Sequence, residues 1–226
     1  MIMDSSIYLG DTVYTVVVPV HNEAPDLEKF LLELKKYAKN ILVVDDGSND
    51  GSAEIAKSLK IRVLQHSHNM GKGAAVLTGL RNARTEFIIL IDGDGQFSPS
   101  EIPLFIKKIN KYDLILGSRF HKGLEMPLHR FLANKLLRLF LPAYISVEDP
   151  LTGFRALRRS KFLDMREKGF ENDIEMIISA RRKGLKVSEV PVSVTYKVRK
   201  SNSINHIKGK ITAFAKLLPY AIKQRS

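Results

Sequence analysis

Short apolar runs, each followed by turn-forming residues, recur through the first half of the chain. They cover residues 13–18, 41–44 and 87–91 and consist almost entirely of β-branched and aliphatic side chains. Continuous runs of this length are typical of strands in a parallel sheet, because such strands are buried on both faces. We therefore predict three parallel β-strands, one at each run.

Helical patterns lie between these runs. A stripe of large apolar side chains recurs at helical spacing within residues 26–38, at Leu27, Phe30, Leu31 and Leu34. A second helix is predicted over residues 52–59, with Asp50 as its N-cap. Strands that alternate with helices indicate an α/β fold, a Rossmann-like, doubly wound, mostly parallel sheet with helices on both faces.

Oxygen-bearing side chains follow each predicted strand. The third strand leads into Asp92-Gly93-Asp94-Gly95-Gln96, and the first two lead into His21-Asn22-Glu23 and Asp45-Asp46. Ligands of such sheets bind outside the carboxyl ends of the strands, so these side chains face one crevice. Carboxylate and amide oxygens suit Mg²⁺, which takes one or two protein carboxylates and fills its shell with phosphates and water. Asp92, Asp94 and Gln96 are therefore candidate metal and phosphate ligands; the alternative is an Asp/Gly turn without a ligand.

The composition bounds the class of protein. The chain has 226 residues, 44% of them hydrophobic, which is enough for one substantial core. It has no cysteine, which excludes disulfides and zinc–thiolate sites. We find no secretory-signal pattern and no apolar run near the roughly 18–20 residues that span a bilayer, and so expect a protein that does not cross a membrane. One domain is predicted over residues 1–206, followed by a basic amphipathic C-terminal helix over residues 207–226.

Basic residues are concentrated near the C-terminus. Residues 181–226 carry 12 Lys and Arg against 1 acidic residue, out of a net charge of +12 for the chain. Within residues 207–223 apolar side chains recur at helical spacing with lysines on another face, and residues 130–140 repeat the pattern. Such helices lie on anionic membrane surfaces, where each basic residue contributes about 1 kcal/mol. The alternative is that either stripe packs on the protein's own core.

Five motifs occur in a fixed order: Pro19-Val20-His21-Asn22-Glu23, Val43-Val44-Asp45-Asp46-Gly47-Ser48, Asp92-Gly93-Asp94-Gly95-Gln96, Gly117-Ser118-Arg119 and Leu151-Thr152-Gly153-Phe154-Arg155. As a set they resemble the family 2 glycosyltransferases of GT-A fold, and among these the dolichol-phosphate and polyprenyl-phosphate sugar synthases. The resemblance implies a nucleotide-sugar donor such as GDP-mannose or a UDP-sugar, Mg²⁺ or Mn²⁺, inversion at the anomeric carbon, and polyprenyl or dolichyl phosphate as acceptor. With the basic helices, it predicts a peripheral enzyme at the cytoplasmic face of an anionic membrane.

The resemblance also implies roles for individual residues. Nucleotide-sugar contacts fall on Pro19, His21, Glu23, Val44, Asp46, Gly93, Lys197 and Arg199. The metal and diphosphate motif falls on Asp92, Asp94 and Gln96. Arg119 matches the arginine that approaches the donor phosphates, so Asp92, Asp94 and Arg119 are the predicted catalytic residues. The acceptor side falls on Arg130, Arg155 and Glu175. The C-terminal segment departs from the family's usual Arg, then Ser-Lys, so its phosphate ligands stay open among Lys197, Arg199 and Lys200.

Two acceptor classes remain open. A lipid phosphate is already ionised near neutral pH, so transfer to it needs no general base. A glycosyltransferase of the same fold that acts on a soluble or polysaccharide hydroxyl needs a carboxylate base. Asp173 or Glu175 could supply that base.

Other functional classes fit the sequence less well. A nicotinamide-dependent oxidoreductase is not indicated, because no Gly-x-Gly-x-x-Gly follows a strand. A phosphate-loop nucleotidase is not indicated either, because Gly71-Lys72 lacks the upstream Gly and the following Ser or Thr of a phosphate-binding loop. His66 and His68 are interpreted as loop residues. A nucleic-acid-binding protein would leave the acidic strand ends unexplained, because a negative cleft repels phosphate. No nucleic-acid partner is predicted.

Overall fold

The computed structural model describes residues 13–120, 147–166, 169 and 171–195. The strands are β1 Tyr14–Val20, β2 Ile41–Asp45, β3 Arg62–Gln65, β4 Phe87–Leu90, β5 Leu114–Ser118, β6 Arg155–Arg158 and β7 Val187–Pro191. The helices are α1 Ala24–Leu34, α2 Ser52–Ser58, α3 Lys72–Asn82, α4 Ile102–Ile109 and α5 Glu171–Arg182, with 3₁₀ turns at Pro99–Glu101 and Arg159–Lys161. The three strands predicted from the apolar runs are β1, β2 and β4.

The strands form one seven-stranded sheet in the order β3-β2-β1-β4-β6-β5-β7. Strand β6 is antiparallel to both β4 and β5, and the other pairings are parallel. The mostly parallel α/β sheet is therefore confirmed. The chain winds outward from β1 in one direction to β2 and β3 and in the other direction to β4. The carboxyl ends of β1 and β4 thus border the switch point at which such sheets bind ligands.

Alternate residues of β1 belong to two cores, one on each face of the sheet. Val16 and Val18 pack in the core that includes α1 and α4, whereas Val17 packs in the core that includes α3 and α5. Helix α3 lies very close to β1, since a Cβ at Gly79 would overlap Cγ1 of Val17. The predicted helices on both faces of the sheet are confirmed.

Both predicted helices, residues 26–38 and 52–59, have different bounds in the structure. Helix α1 begins at Ala24 rather than at residue 26, because Pro25 favours the first turn of a helix, and it ends at Leu34. The N-cap of α2 is Gly51, with φ of 90°, rather than Asp50. Asp50 still serves the same helix end, because its Oδ1 accepts from the Ser52 amide at 3.0 Å. Its Oδ2 accepts from the amide of Ala24 at 2.9 Å, which joins the starts of α1 and α2.

The predicted basic segments, residues 130–140 and 207–223, lie outside the described residues. The division of the chain at residue 206 therefore stays a prediction. In the part of the chain that the structure does describe, no helix is both long and apolar enough to cross a membrane.

Candidate functional site

A cavity of about 380 Å³ opens at the carboxyl edge of β1, β2 and β4. The sequence-predicted residues that line it are Pro19, His21, Glu23, Asp46, Asp92, Gly93 and Asp94. The structure adds four from the loop before α3 and its first turn: Asn69, Gly71, Lys72 and Ala75. Residues as far apart in sequence as Pro19 and Asp94 thus meet at the switch point of the sheet.

The cavity contains an ion pair that the sequence did not predict. Lys72, the first residue of α3, places its Nζ 2.8 Å from Oδ1 and 3.0 Å from Oδ2 of Asp92. Burial alone would lower the pKa of Lys72, but the negative charges of Asp92 and Asp173 raise it above its ordinary value of 10.5. The ammonium therefore stays charged. Both side chains are about a quarter exposed, at 26% and 25%, so they remain accessible from the cavity.

Close packing fixes the position of Asp92 from the other side. A Cβ at Gly153 would overlap the whole carboxyl group of Asp92, with even Oδ1 only 2.7 Å away. Gly93 lies similarly close to β1, where a Cβ would come within 2.8 Å of Val20. Glycine at both positions lets the Asp92 carboxylate sit between β1 and the segment before β6.

The remaining candidate metal ligands lie on the same loop. Asp94 lines the cavity, and its Oδ1 accepts from the Gln96 amide at 3.0 Å, which closes the turn. Gln96 itself is not among the residues that line the cavity. Within the described ranges, no three His, Asp or Glu side chains are grouped so as to hold a metal. Asp92, Asp94 and Gln96 remain candidate metal ligands: two carboxylates and an amide on one loop.

The loop after β1 is tied to the loop after β2. The His21 ring Nδ1 lies 2.9 Å from the Asp46 carbonyl oxygen. The amides of Asn22 and Glu23 donate to the hydroxyls of Ser48 and Ser52 at 2.9 and 3.0 Å. Asn22 has a positive φ of 56°, which an Asn tolerates better than most residues. His21 and Glu23 therefore stand on one connected wall of the cavity.

Two more of the residues assigned to the nucleotide, Val44 in β2 and Asp46 directly after it, occupy different environments. Val44 is fully buried in the core on the α3 side of the sheet, so its side chain does not line the cavity. Asp46 lines the cavity but is only 3% exposed. Its carboxylate accepts from the amides of Met70 and Gly71 at 2.9 and 2.8 Å. It also pairs with Nδ1 of His66 at 2.7 Å.

Arg119 follows β5 and is held by a buried carboxylate. Its Nε lies 2.5 Å from Oδ2 of Asp149, and its Nη2 lies 2.6 Å from Oδ1, which is a bidentate pair. Glu189 of β7 accepts from the amides of Glu148 and Asp149 at 3.0 and 3.2 Å and so fixes that segment. Burial raises the pKa of Glu189 above its ordinary value of 4.5, even though these amides lower it. Arg119 does not line the 380 Å³ cavity.

Arg155, predicted on the acceptor side, is 1% exposed. Its guanidinium donates to the carbonyl oxygens of Thr152, Asp173 and Pro150 at 2.9, 3.1 and 3.0 Å. It also pairs with the Asp173 carboxylate at 3.1 Å. Glu175 lies two residues further along α5, and its carboxylate accepts from the Arg166 amide at 3.0 Å. The structure thus brings Arg155 together with Asp173 but not with Glu175.

Three further predicted residues, Arg130, Lys197 and Arg199, belong to the segments that the structure leaves undescribed, as does Lys200. Their assignments stay predictions. A larger cavity, of about 500 Å³, lies at the opposite edge of the sheet. Among the described residues, those that line it include five with basic side chains and none with an acidic one; the basic residues are Lys35, Lys39, Lys60, Arg62 and Arg84. Because the carboxylates converge on the smaller cavity, that cavity is the candidate active site.

The sequence profile of Glycosyl transferase family 2 matches residues 15–165. A dolichyl-phosphate beta-glucosyltransferase of Trichomonas vaginalis is 31% identical over 233 residues, which cover 89% of this chain and 69% of that protein. A dolichol-phosphate mannosyltransferase of Pyrococcus furiosus is 30% identical over 214 residues, covering 87% of this chain and 59% of that protein.

Among solved structures, the glucosyl-3-phosphoglycerate synthase of Mycobacterium tuberculosis, in complex with Mn²⁺, UDP-glucose and phosphoglyceric acid, is similar in fold. The TM-score is 0.78 at 18% identity, over 95% of this chain and 80% of that chain. The sheet, the switch-point cavity and the family match agree with one another, and the GT-A fold is confirmed. The chain belongs to glycosyl transferase family 2.

Proposed function

We propose that this protein transfers a hexose from a nucleotide sugar to the phosphate of a polyprenyl or dolichyl lipid, with inversion at the anomeric carbon. The observation that carries the proposal is the pairing of Lys72 with Asp92 in a cavity that Asp94 also lines, at the switch point of the sheet. A nucleotide diphosphate that binds at this edge of the sheet needs cationic groups beside it to balance its negative charge. The acceptor class comes from the two relatives, since both names specify a dolichyl or dolichol phosphate.

The residues of the Asp92–Gln96 loop fit a divalent cation. Mg²⁺ and Mn²⁺ both accept carboxylate and amide oxygens, and Mg²⁺ uses few protein ligands when substrate phosphates complete its shell. Asp94 and Gln96 would hold the ion, with Asp92 beside them already paired to Lys72. When bound, the ion neutralises charge on the diphosphate as it leaves. The structural neighbour contains Mn²⁺, which supports a divalent ion but not the choice between the two.

Two cations of the chain can act on the same leaving group. Lys72 is a point charge that reaches into the cavity, and its pKa is raised by Asp92 and Asp173 despite burial, so it stays charged at neutral pH. Arg119 is a planar donor held in place by Asp149. Fixed charges of this kind stabilise a developing negative charge without having to reorganise during the reaction. We assign both to the donor diphosphate.

The absence of a general base from the mechanism follows from the acceptor. A lipid phosphate attacks the anomeric carbon as an oxyanion, so no proton has to be removed. Asp173, the candidate base for a hydroxyl acceptor, is paired with Arg155 at 3.1 Å. Glu175 accepts from the Arg166 amide. These contacts favour the phosphate acceptor over a soluble or polysaccharide hydroxyl.

The donor is tested by a panel. GDP-mannose, UDP-glucose and other GDP- and UDP-sugars are offered with polyprenyl phosphate and either Mg²⁺ or Mn²⁺, and sugar transfer to the lipid is measured. We expect transfer from one nucleotide class, and its loss in chelator. Transfer to a water-soluble hydroxyl acceptor, with none to the lipid, would contradict the proposal.

Asp94→Ala tests the metal assignment in the same assay. It removes an anionic ligand from a site with few protein ligands, so transfer at limiting metal should be abolished. Asp164→Ala is the matched control, because Asp164 is a carboxylate whose side chain is 65% exposed and paired only at the surface with Lys183. Near-normal turnover of Asp94→Ala at limiting metal would remove Asp94 from the metal site.

A lipid acceptor also calls for contact with a bilayer, and we assign this to the basic segment 207–223 at the cytoplasmic face. Its apolar stripe supplies burial and its lysines supply attraction to anionic headgroups. Ile211→Asp combined with Phe214→Asp should abolish co-sedimentation with anionic vesicles while leaving the melting temperature nearly unchanged. Unchanged sedimentation with a large drop in melting temperature would instead mean that the stripe packs in the core.

A further inference from the structure

The carboxylate of Glu189, in β7, accepts two backbone amides from the segment before β6. Its Oε1 lies 3.0 Å from the amide nitrogen of Glu148 and 3.2 Å from that of Asp149. Its Oε2 also lies 3.0 Å from the Glu148 nitrogen. Lys108 of α4 donates to the Glu189 carbonyl oxygen at 2.9 Å, so the backbone that carries this carboxylate is itself held. Glu189 therefore connects α4 and β7 to residues 148–149.

Residues 148–149 in turn hold the residues at the end of β5. The Asp149 carboxylate accepts from the Arg119 guanidinium at 2.5 and 2.6 Å and from the Arg119 amide at 3.2 Å. Glu148 accepts from the hydroxyl of Ser118 at 3.2 Å. The Asp149 side chain is 0% exposed and that of Arg119 is 8% exposed. The place of the guanidinium therefore depends on where the backbone of residues 148–149 lies.

Strand β7 also fixes the backbone next to the same arginine. It pairs in parallel with β5, with Leu116 opposite Glu189. Directly after β7, the Val192 amide donates to the Ser118 carbonyl oxygen at 3.0 Å, which belongs to the peptide bond that leads into Arg119. One strand thus holds Arg119 at both ends, its backbone through Ser118 and its guanidinium through the contacts of Glu189.

This arrangement brings three carboxylates together, those of Glu148, Asp149 and Glu189. Burial raises the pKa of Glu189, the two amides lower it, and the charges of Glu148 and Asp149 raise it again. Like charges at short range disfavour the ionised form and so cost stability. Such a cost is typical of residues that serve activity rather than stability.

We propose that Glu189 is a positioning residue for Arg119: it fixes the amides of residues 148–149 and so holds the Asp149 carboxylate where it orients the guanidinium. A planar guanidinium binds phosphate oxygens in pairs only when its plane is correctly set, so its orientation matters as much as its charge. Glu189 acts through the place of its acceptor oxygens. The inference rests on the proposed function in one respect only, the action of Arg119 on the donor diphosphate.

Two variants separate the place of the oxygens from the charge. Glu189→Asp keeps the charge, but its side chain is one methylene shorter, which withdraws the oxygens from the amides of Glu148 and Asp149. Glu189→Gln removes the charge but can keep a carbonyl oxygen at the place of Oε1, which is within reach of both amides. We expect Glu189→Asp to be impaired and Glu189→Gln to stay close to the wild type. The opposite order would assign the effect to the charge and overturn the inference.

The first measurement needs no substrate. NMR follows solvent exchange of the amides of Glu148 and Asp149 and of the Nε–H of Arg119. In Glu189→Asp both amides should exchange about tenfold faster or more, as expected for loss of a hydrogen bond to a charged group. The Arg119 Nε–H should exchange faster with them. Unchanged amides, or faster amides beside an unchanged Nε–H, would overturn the inference.

Asp113→Ala is the matched control. Asp113 also accepts a backbone amide, that of Lys186 at 2.9 Å, and also pairs with an arginine, Arg158 at 3.3 Å. It directly precedes β5, however, at the end of the strand away from Arg119. Its variant should leave kcat and the three exchange rates unchanged, and changes equal to those of Glu189→Asp would mean a general loosening of the sheet. If Glu189→Asp does not fold, Glu189→Gln still decides, because loss of Nε–H protection in that variant contradicts the inference.

The second measurement is the effect on sugar transfer. Glu189→Asp should lower kcat about tenfold with a smaller change in donor KM, because it displaces the guanidinium without removing it. In an Arg119→Met background the same change should have almost no further effect on kcat, since residues that act through one another are not additive. Additive losses would mean that Glu189 acts by another route. If the wild type transfers sugar from no donor, the proposed function fails, and the exchange measurement alone decides whether Glu189 positions Arg119.

Discussion

Replacement of Arg155 by Met should destabilise the protein severely. The side chain is 1% exposed, and three of its contacts are hydrogen bonds to carbonyl oxygens, those of Thr152, Asp173 and Pro150. A fourth contact is the ion pair with the Asp173 carboxylate, whose side chain is 12% exposed. Met has a comparable length and fills the space, so the effect comes from the polar groups left behind rather than from a cavity.

The magnitude follows from those groups. Removing one partner of a buried ion pair costs about 3–5 kcal/mol, and each buried carbonyl left without a donor costs about 1–3 kcal/mol. Even if neighbouring donors rescue most of the carbonyls, the loss is about 4 kcal/mol or more. The total stability of a domain is about 5–15 kcal/mol. Arg155→Met should therefore be marginally folded at room temperature.

The assay is urea unfolding followed by circular dichroism, with Arg158→Met as the control. Arg158 lies on the same strand and also pairs with a carboxylate, Asp113 at 3.3 Å, but its side chain is 29% exposed. Such a pair contributes about 1 kcal/mol or less, so the control should stay close to the wild type. Equal unfolding free energies for the two variants, with a raised KM for the lipid phosphate only in Arg155→Met, would refute this reasoning and assign the guanidinium to the acceptor.

Three other substitutions follow from the site. Gly153→Ala should displace Asp92 from Lys72 and strongly reduce sugar transfer, while overpacking lowers stability by only about 1–3 kcal/mol. Gly79→Ala, which overlaps only Val17, is the control, and equal activity of the two variants would contradict this. Arg119→Lys should lower kcat about 100-fold with a smaller change in donor KM, because an ammonium cannot replace a bidentate guanidinium; unchanged kinetics would remove Arg119 from the site. Burial raises the pKa of Glu189 in the folded protein, so the stability of the wild type should fall as pH rises from 4.5 through that pKa. Glu189→Gln should lose this pH dependence in urea titrations across pH 4–7, and equal pH dependence in the two proteins would contradict the raised pKa.

The sequence predicted those parts of the fold that depend on local pattern. The apolar runs marked β1, β2 and β4 because a strand buried on both faces has no polar alternation to conceal it. The sequence did not predict that β6, residues 155–158, lies antiparallel between β4 and β5. Strand order and direction are set by long-range pairing, and the sequence of a four-residue strand carries little information about its neighbours.

The site shows the same division. Asp92 and Asp94 were predicted as site residues because they follow a strand directly, and both line the cavity. Lys72 was considered only as part of an incomplete phosphate-binding loop, since nothing in the local sequence indicates that α3 begins beside Asp92, 20 positions later. His66 was interpreted as a loop residue for the same reason, because its partner Asp46 lies 20 positions earlier. A basic or imidazole side chain at the start of a helix in an α/β fold, or in the loop before it, is the signal that could have drawn attention to both.

The position of β6 has a consequence for biosynthesis. The ribosome completes β4 and β5 well before residues 155–158, yet neither strand can pair directly with the other because β6 lies between them. Strands β1 to β4 can assemble as soon as residue 90 has emerged, whereas β5 must wait. During that interval β4 presents an open edge of unpaired amides and carbonyls, the kind of surface that pairs with other chains. Translation thus passes through a stage at which this nascent chain is vulnerable to aggregation, and the arrival of Arg155 and its strand ends it.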